Sequence, residues 1–192
     1  IGKLDYYIFN DINILIIEIN SLDNEASSEK IINYLQHKNV KIIKTFLIKF
    51  PIYPINWSGY GENISDYSNW CGLDKIDYKE KFKKCIESMR KNNIKSDLST
   101  EITDFVETNF NKQHLFLHSL HPTNILLYQL WKYILQCLSI NIEDNKYIFT
   151  EELIICWINP LTSKMKTDLD IQFKDVIVDD QFYINRYEEN RI

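Results

Sequence analysis

The chain has 192 residues, 45% of them hydrophobic and 26% charged, so it holds enough apolar material for one continuous core and too much for a disordered segment. A net charge of −5 argues against a surface that binds nucleic acid by collecting phosphates. Ile occurs 31 times and Asn 19 times against a single Ala, a bias that makes hydrophobic pattern more informative than helix propensity. The expectation is a single α/β domain over 1–192, with a mostly parallel sheet flanked by helices. The start at Ile1, with no Met and no signal-peptide features, reads as a domain excised from a longer chain with further domains attached.

Ile12 to Ile19 is a short β-branched run between polar residues, which predicts a strand buried on both faces. Helical spacing follows from Ala26 to His37, with Ile31, Ile32 and Leu35 on one stripe, and Val40 to Phe50 is strand-like again. Strand, helix, strand is the unit that calls for a right-handed crossover and a parallel pair. From Pro51 to Leu73 no period fits; the segment holds Pro51, Pro54, three of the four glycines and many aromatics, and predicts a long aromatic loop over a site.

Tyr78, Phe82, Cys85, Ile86 and Met89 mark one amphipathic helix. Ile102, Phe105, Val106 and Phe110 mark another, capped by Ser99 or Thr100 and carrying Glu101 and Asp104 on its other face. Leu115 to Leu117 predicts a third strand beside the first two. Pro122 then precedes a long helix with Leu126, Leu130, Ile134 and Leu138. Beyond Asn145 the pattern allows a strand or helix at Tyr147 to Ile158, a strand at Asp170 to Val178 and a short terminal helix.

The turn HSLHPTN carries the most chemistry. Where a strand gives way to a helix at the carboxyl edge of an α/β sheet, side chains point into the crevice that binds ligands, and His121 is expected there as a general base. Three of the four histidines, His114, His118 and His121, fall within eight residues. On a strand, however, His114 and His118 project to one side about 13 Å apart, and no acidic or cysteine partner is near, so no metal site is expected. Ser119 lacks a nucleophile-elbow context, and Gly59-Tyr60-Gly61 lacks the third glycine of a dinucleotide fingerprint. The four cysteines form no CxxC pair, as expected of free thiols in a reducing, cytoplasmic setting. No apolar run is long enough to span a membrane; the richest, Ile125 to Ile140, is interrupted by Gln129, Lys132 and Gln136.

The order of FPIYPINWSGYG, TEITDFVETNF, LFLHSLHPTN and LWKYILQCLSI resembles the C-terminal two-thirds of the WcbI-type capsular polysaccharide biosynthesis proteins, chiefly at His121-Pro122-Thr123, Glu101, Asp104 and Trp57 to Gly61. This chain begins after the family's usual Gly-Asn-Cys strand and turn or lacks it, and Leu120 stands where a polar residue commonly precedes His-Pro. The resemblance implies an α/β domain that binds coenzyme A and acylates a sugar.

On this reading His121 is the general base, and Glu101 or Asp104 orients it. Lys49, Thr123 and Asn124 meet the phosphates of coenzyme A or an acyl-CoA, with Lys132 a further phosphate partner. Trp57 and Tyr60 stack on the cofactor, while Tyr67 and His118 meet a nucleotide sugar or glycan. Two alternatives stand beside it: a sugar O-methyltransferase using S-adenosylmethionine, and a non-catalytic carbohydrate-binding or assembly module of a larger glycan enzyme.

Overall fold

The computed structural model describes residues 11–19, 27–46, 48–53, 73–92, 94, 96–141, 158–174 and 178–181, apart from the side chains of 92 and 99–101. Its content is α/β. Strand β1 (Ile14–Ile19) and strand β2 (Lys41–Phe46) pair in parallel, Ile14 opposite Lys41 through Ile19 opposite Phe46. Helix α1 (Ser28–Leu35) lies between them in the chain, started by Ser27, whose hydroxyl accepts from the Lys30 amide at 3.3 Å. Its buried residues Ile31 and Leu35 sit four apart on one face, as the sequence stripe requires. The parallel pairing and the α1 crossover thus follow the apolar pattern.

The burial of β1 does not. The strand alternates exposed and half-buried residues, with Ile14 and Ile16 at 47% and 49% exposure. Among the described residues β1 has β2 as its ladder partner on one side and none on the other, and it is half exposed where a strand buried on both faces was expected. β2 is the more central strand, because its Lys44 amide and carbonyl bond the Asp97 carboxylate and amide at 2.7 and 2.9 Å.

A 3₁₀ turn (Leu73–Lys75) leads into helix α2 (Tyr78–Asn92), and helix α3 (Ser99–Asn109) packs beside it. The residue before α3 is Leu98, which cannot cap with its side chain, so the expected Ser99 or Thr100 cap lies one or two positions inside the helix. Strand β3 (Phe116–His118) turns at once into the antiparallel strand β4 (His121–Pro122), and helix α4 (Asn124–Cys137) follows. The third strand was expected beside β2 in one sheet; its ladder partner is instead β4, in a separate two-stranded sheet. Single backbone bonds link the pieces. The Phe50 amide donates to Ser119 O, and the Asn159 amide to Leu117 O, each at 2.8 Å.

The core centres on Phe50, which is fully buried. Its ring stacks on Phe116 at 4.9 Å and meets Phe82 and Phe110 at 5.6 and 5.2 Å, joining α2, α3 and β3. Aromatic contacts of this spacing contribute about 0.5–1.5 kcal/mol each beyond the area they bury. Tyr53, buried just beyond, donates to Phe116 O at 2.5 Å, so 48–53 is held against β3 by ring packing and by hydrogen bonds.

Helix α5 (Ser163–Asp168) has no counterpart in the sequence reading. Thr162 starts it, accepting from the Met165 amide at 3.0 Å and donating to the buried Tyr78 hydroxyl at 3.1 Å. The expected strand at Asp170 to Val178 is reduced, among the described residues, to a parallel bridge between Leu161 and Val178. The expected element at Tyr147 to Ile158 lies, except for Ile158, outside the described residues, and so does the terminal helix beyond Gln181. No helix among the described residues is long and apolar enough to cross a membrane.

Candidate functional site

β3 is buried from Leu115 through Ser119, and nearly every carbonyl along it has a partner. Thr123 donates its amide to Leu115 O at 3.0 Å and its hydroxyl to His114 O at 2.7 Å, while Tyr53, Asn159 and Phe50 serve Phe116, Leu117 and Ser119. This fixes the strand and the two-residue turn Ser119–Leu120 as a rigid platform, the condition for a precisely held site.

The turn reverses the chain one step earlier than the sequence implies. His121 was expected beyond the strand end, with Pro122 just before the helix. Instead Pro122 lies in β4 opposite Phe116, Thr123 precedes the helix, and His121 lies opposite His118. Pro122 has no amide proton to give, which suits a two-residue strand. The two imidazoles meet with centroids 4.0 Å apart and planes at 72°. His114 sits apart, stacked on Phe173 at 5.6 Å.

The environment sets the state of His118. It is 4% exposed, and its Nδ1 accepts the Leu120 amide at 3.3 Å. A ring nitrogen that accepts from a backbone N–H carries no proton, so the ring is the neutral Nε2–H tautomer. Burial first, and the neighbouring His121 second, lower its pKa from 6.5 to about 4. Ser119 is likewise 1% exposed, and its hydroxyl is the one wholly buried side-chain polar atom without a hydrogen-bond partner among the described residues.

The other expected site residues fall in different places. Asp104 is exposed and bonds Arg90 on α2 at 2.7 Å, while the other arm of the same guanidinium bonds Glu107. Glu101 lies in the first turn of α3, and its side chain is outside the described part. Lys49 is turned outward between buried Ile48 and Phe50. Thr123 is buried with its hydroxyl committed to His114 O, and Asn124, also buried, opens α4. Lys132 lies with its ammonium 5.8 Å from the Tyr128 ring centroid. Trp57, Tyr60 and Tyr67 lie outside the described residues.

The site thus brings together His118, His121 and Ser119; the sequence reading made His121 the base and His118 a contact to the sugar, and gave Ser119 no role. What would have found the pair is the spacing H-x-x-H read as a two-residue turn, which puts the histidines opposite each other across two antiparallel strands. No group of three or more metal-ligating side chains occurs among the described residues. No family model matches the chain, and no curated protein or solved structure gives a match.

Proposed function

We propose that this chain is a sugar-modifying transferase that moves an acyl group from a coenzyme A thioester to a sugar hydroxyl or amine, with His121 as general base. The observation that carries the reading is the histidine pair: a half-exposed imidazole held on a rigid turn beside a second, buried one. Deprotonation of a sugar hydroxyl requires a positioned general base. Thr123, which precedes α4, spends its hydroxyl on His114 O and makes no side-chain cap, which favours the first amides of the helix as partners for a donor phosphate. The resemblance to WcbI-type proteins at His121-Pro122-Thr123 points to the same donor and to a glycan or nucleotide sugar as acceptor. The donors and acceptors of this chemistry belong to the cytoplasm.

A thermal-shift screen with coenzyme A, acetyl-CoA, S-adenosylmethionine, S-adenosylhomocysteine and nucleotide sugars tests the reading. A ligand at 100 times its Kd stabilises the folded chain by about 2.7 kcal/mol, and coenzyme A or acetyl-CoA is expected to do so. A response to S-adenosylmethionine alone assigns methyl transfer instead. No response to any of them removes the transferase reading.

A further inference from the structure

We draw no further inference here: the strongest candidate, the partly exposed apolar patch around Tyr128 and Trp131 on helix α4, carries nothing because nothing in the structure shows what covers it.

Discussion

His118 and His121 are cross-strand partners across a two-residue turn, with ring centroids 4.0 Å apart and planes at 72°. Contact of this kind couples their charges, since two imidazolium rings so placed repel. Of the two, His118 has lost its solvent and His121 has kept part of it. On the proposed acyl-transfer reading, replacing His121 by Ala is expected to lower turnover by roughly 10²–10⁴ while leaving affinity for the donor nearly unchanged, since the proposed base would act on the acceptor's proton. Single-turnover kinetics separates the two effects. His118 in the same variant should titrate at a higher pH than in the wild type and still below an ordinary histidine, because burial, the larger cause of its shift, remains.

The depressed pKa of His118 also makes the fold sensitive to acid. In the unfolded chain the ring binds a proton below its ordinary pKa of 6.5, whereas in the folded chain it resists protonation down to about 4. The unfolded state then holds more protons in that window, so stability present above about pH 6.5 is lost as pH falls toward 4, by up to about 3 kcal/mol. Urea unfolding of the wild type and of His118→Gln across this range should show the wild type losing more. Parallel curves would assign the acid sensitivity to other groups.

Thr162 is expected to be a stability residue. Its hydroxyl caps α5 through the Met165 amide and satisfies the hydroxyl of Tyr78, which has no exposed surface. Thr162→Val removes both bonds at nearly constant volume and should cost about 1–3 kcal/mol, read as a lowered urea midpoint at unchanged slope. Tyr78→Phe should cost less, because the cap survives it.

The β1–α1–β2 unit, α2, α3 and α4 were legible in the sequence, since apolar spacing alone marks an amphipathic helix and a β-branched run marks a strand. The exposure of Ile14 and Ile16 was not, because an Ile-rich composition makes a half-exposed strand look like a buried one. The turn at Ser119–Leu120 escaped for a different reason. Turns of this length usually announce themselves by Gly or Asn, and this one is held by long-range bonds from Phe50 and Thr123. Asp104 looked available in sequence because its Arg90 partner lies on another helix. Such an exposed ion pair contributes at most about 1 kcal/mol, so it fixes the place of the carboxylate more than the stability of the fold.

Ser119 offers the clearest separation of stability from function. Its hydroxyl is buried without a hydrogen-bond partner among the described residues, a condition that costs roughly 1–3 kcal/mol relative to a satisfied group. Its carbonyl is used, accepting from Phe50, so the backbone of the turn does not depend on the side chain. Ser119→Ala removes one polar atom and leaves a void smaller than a methyl group, which the close packing around β3 tolerates. The variant is therefore expected to be more stable than the wild type by about 1 kcal/mol, raising Tm by roughly 2–4 °C for a chain of this length. Calorimetry on the pair measures this directly. A lower Tm would mean that the hydroxyl is satisfied in solution, by an ordered water inside the turn, and that the turn needs it.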